Sequence, residues 1–278
     1  MDWKEFILSA FEEDIREGDH TSLSTISEEQ VGKANLWAKD VGIVAGVELA
    51  KMIFWYYNPT LEVKVFINDG SPIMVGNKIL EVEGDERSIL SCERLVLNCM
   101  QRMSGIATLT NKYVDAVAGT KAKILDTRKT TPLFRAAEKW AVKIGGGENH
   151  RFGLYDMILI KDNHVDYTGG IKQAILRANE YLKEKNIDIP IEIETRNLEE
   201  IKQVLEIGKV NCIMLDNFKP DLIREALKLI GGKYETEVSG GITLETIRSY
   251  AETGVDFISV GALTHSYTSL DLSLKAVK

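Results

Sequence analysis

Apolar residues change their spacing along the chain, and the changes mark its organisation. Over about residues 2–16 they recur with a helical period. From 31 to 84 the pattern becomes that of short strands, KANLWAKD, GIVAG, LEVKVFI and IMVGNKILEVEGD, broken by turn signals such as Asp69-Gly70. Alternation in LEVKVFI places Leu61, Val63, Val65 and Ile67 on one face, as a half-buried strand requires. This region predicts a small sheet flanked by the N-terminal helix and by a helix over 46–57. A long helical pattern over 86–118, with Ile89, Leu90, Leu97, Met100 and Met103 on an apolar stripe, joins it to the rest of the chain.

Beyond residue 120 the organisation becomes strand, polar tip, helix, repeated. Six apolar runs end at Asp126, Lys161, Glu194, Asp216, Ser239 and Val260. The last three intervals are 22, 23 and 21 residues, the length of a strand, a helix and two short loops, which predicts parallel βαβ units. Polar tips at successive strand ends match the carboxyl face of a (β/α) barrel, and with fewer than eight units the barrel is expected to be incomplete or open. A doubly wound open sheet shares the same local pattern. The first two intervals, 35 and 33 residues, are longer, and the first carries its excess in the 130s and 140s, where basic residues and a Gly triplet sit. That excess reads as a functional insertion.

Composition sharpens the picture. The chain has 278 residues, 44% hydrophobic and 27% charged, enough to bury one large core or two ordinary ones. Its formal charge is −8, yet residues 125–164 concentrate seven Lys/Arg and two His. Such a local basic cluster in an acidic protein focuses field on an anionic ligand. Nucleic acid is not an expected partner, since the chain is acidic and shows no recognisable binding module. No run approaches the roughly 18 apolar residues of a membrane span, and the acidic N-terminal stretch differs from a secretory signal, so a cytoplasmic, membrane-free location is expected. Cys92, Cys99 and Cys212 are odd in number and form no CxxC pair, which argues against disulfides and structural zinc.

The strand tips carry the candidate chemistry. Glu194 and Asp216 end adjacent strands, IPIEIET and NCIMLDN, and would enter one mouth together with Arg128, Lys129, His150, Arg151 and Lys161. Two carboxylates beside cations suit Mg²⁺ that completes its shell with water and phosphate oxygens. The same groups could instead pair with one another. SGGI (239–242) and VGAL (260–263) each lie between a strand and a following helix, where free N–H groups favour an anion. His164 reads as ordering its loop, His265 as supporting a turn or capping a helix, and His20 as a loop residue. Arg135, Lys139 and Lys143 fall near helical spacing and could form a solvated face.

DTRKTTP (126–132), KIGGGENHRFGL (143–154), LIKDNH (159–164), IEIE (191–194), MLDN (214–217), SGGI and ISVGALTHS (258–266) resemble, in order, the motifs of quinolinate phosphoribosyltransferases. NCMQRMSGIAT (98–108) and EDIREGDHTS (13–22) resemble further family signatures. The resemblance implies an N-terminal α/β sandwich domain over 1–104, an open α/β barrel resembling a TIM barrel over 105–266, and a C-terminal helix over 267–278 packing back on the first domain. It implies a homodimer and transfer of phosphoribose from phosphoribosyl diphosphate to quinolinate, with release of CO₂ and diphosphate. Arg128, His150 and Arg151 would bind the quinolinate carboxylates, joined by Arg102 from the partner subunit. Lys129 and Lys161 would lie between dicarboxylate and diphosphate. Glu194 and Asp216 would face the ribose hydroxyls and Mg²⁺, and Ser239, Gly240, Gly241 and Gly261 would hold the 5′-phosphate.

Leu133 and Phe134 depart from the family pattern, where Gly-Leu would follow the TTP turn, and the missing glycine is expected to reshape the loop behind Arg128 and Lys129. Two further readings remain at this point. One is a ModD-like paralogous phosphoribosyltransferase with a different acceptor. The other is a catalytically silent anion-binding regulatory protein.

Overall fold

The structure, a computed structural model, describes residues 2–277. It divides into two compact units: one runs from the N-terminus to Asn111 and includes 131–146 and 266 onward, and the other comprises 112–130 and 147–265.

In the first unit, α1 (Trp3–Asp14) starts at Asp2, whose carboxylate accepts the Lys4 N–H, and buries Ile7 and Phe11. Asp19 caps α2 (His20–Thr25) by accepting the N–H groups of Thr21 and Ser22. His20 therefore opens a helix and is not a loop residue; the Asp side chain before it is the signal. Next come β1 (Val31–Ala38), β2 (Gly42–Ile43), α3 (Val47–Tyr57), β3 (Glu62–Val65), β4 (Pro72–Ile73) and β5 (Lys78–Asp85). β1 and β3 both pair antiparallel with β5, and β2 pairs with β4. Helix α4 (Glu86–Ala116) buries Ile89, Val96, Leu97, Met100, Met103 and Ala107, which fall on one stripe at the helical period. Leu90, one step round the helix from Ile89, is 42% exposed and does not belong to that stripe.

The strands of the second unit are β6 (Lys123–Leu125), β7 (Ile158–Ile160), β8 (Ile191–Thr195), β9 (Cys212–Asp216), β10 (Glu235–Ser239) and β11 (Phe257–Ser259). α5 (Arg135–Ile144) lies between β6 and β7 in sequence but belongs to the first unit. The remaining connections are α6 (Asp162–Thr168), α7 (Ile171–Lys185), α8 (Leu198–Ile207), α9 (Pro220–Ile230), α10 (Ile247–Ala251) and α11 (Ala262–His265). The sheet order is β6-β11-β10-β9-β8-β7, with every pairing parallel. Strands β7 to β11 run in chain order, and β11 then pairs with β6. A doubly wound sheet would reverse its order at a switch point; this one progresses in one direction and meets its own first strand, as a barrel does. It stays open between β6 and β7. On the free edge of β6, Glu148 donates to Ile124 O at 2.7 Å and accepts from Asp126 N at 3.1 Å.

After α11 the chain returns to the first unit as β12 (Leu272–Ala276), antiparallel to β1 from Ala34↔Ala276 to Ala38↔Leu272. The expected C-terminal helix is therefore a strand. Leu270, Leu272 and Leu274 alternate with polar neighbours and are buried, a period of two, and Leu272 and Leu274 pair onto β1. Residue 278, the end of that expected segment, lies outside the described residues.

Leu133 adopts φ 62°, the conformation a glycine would supply, with its side chain 87% exposed. The turn is thus kept and the strain is carried by one residue, where a left-handed conformation costs about 1–2 kcal/mol. Leu133→Gly should raise stability by about 0.5 kcal/mol after the entropy penalty of glycine, whereas Leu133→Val should lower it by about 1 kcal/mol. Urea denaturation of the two variants checks both signs.

Candidate active site

All parallel strands end on one rim, and the cleft there has a volume of about 750 Å³. Its walls include Arg128, Lys129, His150, Arg151, Lys161, Glu194, Asp216, Ser239, Gly240, Gly241 and Gly261. Of the residues assigned catalytic or binding roles from the sequence, Arg102 is the one not on this cleft, and it sits on the part of α4 that belongs to the first unit.

The cations of the cleft are held unequally. Lys161 Nζ donates to Glu194 Oε1 at 2.5 Å. Arg151 donates from Nη1 to Met157 O at a long 3.3 Å, while Arg128 Nε is buried with no hydrogen-bond partner. Burial, and then the Arg128 charge beside it, pull the Arg151 guanidinium below its usual pKa, against the opposing pull of Glu192, Asp156 and Glu194. Among the described residues Arg128 Nε meets no acceptor, so two guanidinium groups line one cavity with donor capacity that an anion would satisfy.

Beneath them lies a second layer on the same faces of the strands. Glu192 sits two residues before Glu194 on β8, and Glu237 two before Ser239 on β10; both are 2% exposed. His150 Nδ1 accepts the Arg151 backbone N–H at 2.7 Å, which places the ring proton on Nε2, where it donates to Glu192 Oε2 at 2.8 Å. Glu237 Oε2 is 3.4 Å from the same nitrogen. Burial, followed by the neighbouring Glu192, pushes the Glu237 carboxyl well above the usual carboxylate range, with the Ser259 hydroxyl opposing. These three side chains form the potential metal-ligand group among the described residues, their ligand atoms within 4.8 Å of one another. The His150 Nε2 proton is already engaged by Glu192, so the trio is read as a hydrogen-bonded cluster.

Glu194 and Asp216, the expected metal pair, stand above this layer. Asp216 accepts the Ser239 hydroxyl at 2.8 Å and the Asn217 amide at 2.7 Å. Glycine geometry shapes the opposite wall. At Gly240 (φ 100°) a Cβ would meet Asn217 Oδ1 at 2.1 Å, whereas Gly241 (φ 62°) has nothing within 4 Å. At Gly261 a Cβ would come within 3.1 Å of both Lys129 Cδ and His265 Nε2. The helices after these turns have five and four residues, so an anion here would meet exposed glycine backbone and not a full helix dipole. His164 orders its tip as expected, with Nδ1 accepting the Lys161 N–H at 2.9 Å. Lys139 is 1% exposed and lies on no solvated face.

Two family models cover nearly the whole chain: the quinolinate phosphoribosyl transferase N-terminal domain over residues 19–104 and the C-terminal domain over 106–275. The chain belongs to the quinolinate phosphoribosyltransferase family. It is 47% identical to a chloroplastic nicotinate-nucleotide pyrophosphorylase (carboxylating) of Arabidopsis thaliana, over 99% of this chain and 82% of that one. It is 46% identical to a mitochondrial quinolinate phosphoribosyltransferase (decarboxylating) of Nicotiana glauca, with the same two coverages, 99% and 82%. Among solved structures it resembles NadC of Streptococcus pyogenes, with TM-score 0.93, 36% identity and coverage of 99% and 96%. It also resembles the nicotinate-nucleotide pyrophosphorylase of Francisella tularensis, with TM-score 0.92, 38% identity and coverage of 99% and 96%.

Sequence reasoning passed over Glu192, Glu237, Asn217 and Ser259 in this family member. Period-two reading of IEIE and ETEVS back from their tips would have put Glu192 and Glu237 on the inner face. Asn217 carries a weaker signal, an Asn in left-handed conformation (φ 59°) directly after a strand.

Because Gly240 is constrained by a neighbouring side chain and Gly241 only by its own φ, the two should respond differently to alanine. Gly241→Ala should destabilise by about 1 kcal/mol, the left-handed penalty. Gly240→Ala should exceed that by a further ~1–2 kcal/mol through displacement of Asn217. Equal losses in thermal denaturation would contradict the Asn217 contact.

Proposed function

We propose that the protein transfers phosphoribose from phosphoribosyl diphosphate to quinolinate with loss of CO₂, giving nicotinate mononucleotide and diphosphate. The observation that carries this reading is the guanidinium pair, Arg128 with an unpartnered Nε beside the desolvated Arg151, opposite a glycine-walled anion site in the same cleft. Family membership and the activities named for the relatives support it.

In this reading the planar forks of Arg128 and Arg151 bind the two carboxylates of quinolinate. His150, with both ring nitrogens bonded inside the protein, holds the Arg151 backbone against the interior carboxylates. Arg102 of the partner subunit completes the acceptor site in a homodimer. Lys129 and Lys161 neutralise the departing diphosphate, and Lys161 exchanges its Glu194 contact for phosphate oxygens. Ser239, Gly240, Gly241 and Gly261 hold the 5′-phosphate.

Glu194 and Asp216 offer hard oxygen donors, but both Asp216 oxygens and one Glu194 oxygen already accept hydrogen bonds, a set that fits Mg²⁺ held largely through substrate. When bound, Mg²⁺ supplies charge neutralisation of the diphosphate. The carboxylates also offset positive charge that develops at the ribose C1. The pyridine nitrogen that attacks there carries no proton and needs no general base. Once alkylated the nitrogen is cationic and stabilises the electron pair that departing CO₂ leaves at the adjacent carbon, where a proton from solvent then replaces CO₂; the protein positions and neutralises. A cytoplasmic setting accords with the three free, buried cysteines, as in a reducing compartment.

Purified protein with quinolinate, phosphoribosyl diphosphate and Mg²⁺ should yield nicotinate mononucleotide by chromatography, and nicotinate as parallel acceptor should yield none. Binding of phosphoribosyl diphosphate without product would instead favour a ModD-like enzyme with another acceptor. Binding of neither substrate would favour the regulatory reading. Lys129→Ala should lower kcat by on the order of a hundredfold with unchanged thermal stability; near-normal turnover would remove that lysine from the mechanism. In calorimetry Mg²⁺ alone should bind weakly and gain affinity when phosphoribosyl diphosphate is present; tight binding to the free protein would argue against the carboxylate pair as described.

A further inference from the structure

The first unit contains a cationic side chain whose surroundings are built to aim it. Arg102 on α4 donates to Oε1 of Glu138 on α5 from Nε at 2.9 Å and from Nη2 at 2.6 Å. Its Nη2 also donates to the Thr131 hydroxyl. The Glu138 side chain is 0% exposed, and its second oxygen accepts the Thr131 backbone N–H at 3.0 Å. One buried carboxylate therefore ties together α4, the first turn of α5 and the turn that precedes it. The rings of Phe134 and Tyr267 lie 5.5 and 5.1 Å from the guanidinium carbon. Phe134 is itself backed by Phe6 at 5.6 Å between ring centroids. Two of the three guanidinium nitrogens are thus committed. Nη1 has no hydrogen-bond partner among the described residues, and the side chain keeps 31% of its surface exposed.

For stability alone this arrangement is a poor choice, since a buried ion pair is often no better than apolar residues of the same volume. What the clamp provides is direction. A free arginine samples many rotamers, whereas this one presents a single nitrogen along a fixed line. We propose that Glu138 is a positioning residue that aims Nη1 of Arg102 at a carboxylate of the acceptor. The proposal rests on the reading that Arg102 binds the acceptor. It also gives Phe134 a part. Where the family pattern has leucine, this chain places a ring on the guanidinium, so the departure adds a cation–π contact to the same clamp.

The test is a double-mutant cycle in the full-length protein, reading kcat, KM for quinolinate and Kd for phosphoribosyl diphosphate. Arg102→Ala should raise KM for quinolinate by on the order of a hundredfold, and Glu138→Gln, which keeps the shape but loses the charge, by about tenfold. Neither should change the Kd for phosphoribosyl diphosphate. In the Arg102→Ala background Glu138→Gln should add nothing, because only the aim of the arginine was lost. If Arg102→Ala leaves KM unchanged, the reading beneath the proposal fails. If Arg102→Ala raises KM but Glu138→Gln does not, or if the two effects multiply, the positioning role is overturned while that reading stands. Should Glu138→Gln not fold, Tyr267→Leu leaves the carboxylate in place and carries the same cycle: a smaller KM rise that vanishes in the Arg102→Ala background supports the clamp, and a multiplying effect overturns it.

Discussion

Parallel pairing of all strands in one sheet is the constraint from which the rest of the second unit follows. Strands that point the same way must end on the same rim, so residues far apart in sequence, from Arg128 to Gly261, share one cleft. The same pairing leaves little room for charge within the sheet. All five residues of β8 are buried, yet two of them are glutamates. Carboxylates packed that closely cannot all remain ionised in a medium of low dielectric constant. Burial and Glu192 push the Glu237 carboxyl well above the usual range, His150 Nε2 donates a hydrogen bond to Glu192, and Lys161 pairs with Glu194. Cations at the mouth and acids beneath it are therefore one electrostatic arrangement. The acids raise the affinity of Arg151 for its proton even as burial and Arg128 lower it, and they let an acidic chain keep a desolvated basic mouth.

The glycine wall separates scaffold from ligand reasons for the same residue type. Asn217 takes a left-handed conformation, donates its N–H to Ser239 O at 2.9 Å, and sets its side-chain oxygen where a Gly240 Cβ would lie. That lock joins the tips of β9 and β10 and needs no ligand to explain it. Gly241, facing open space, is the position where backbone can approach a phosphate closely. A glycine pair in sequence carries both meanings at once, and only the neighbours tell them apart.

Much of this was legible beforehand because it rests on period and spacing. The six strand tips fall where apolar runs meet polar residues, and the site residues named from them gather in one cleft, with Arg102 placed elsewhere. Local pattern could not choose between a barrel and a doubly wound sheet, since strand order depends on pairing at long range. It also missed that residues 131–146 belong to the first unit and that the C-terminal segment joins that unit as a strand. For the last strand the signal was present in the alternation of Leu270, Leu272 and Leu274, but a short amphipathic run after a helix-rich region reads equally well as helix. Lys139 looked solvated because its charge suggested it, and its burial depends on partners that helical spacing does not reveal.

Arginines in this protein are held in two opposite ways, and the difference has a physical rationale. Arg102 has its charge matched by a fully buried carboxylate, so it is oriented before any ligand arrives. Arg128 has an unpartnered Nε, and Arg151 has only a long contact to a carbonyl. A group whose partner is already present gains little from a ligand beyond one aligned contact, and its contribution is geometric. A desolvated guanidinium without a partner is a standing penalty, relieved when a carboxylate binds. On the proposed reading, in which Arg102 meets the acceptor, all three arginines contribute affinity, and the clamped Arg102 contributes orientation as well. If the proposed acceptor site holds, such a division of work discriminates between one carboxylate and two, because only a second, correctly placed carboxylate can meet an arginine that does not move to find it.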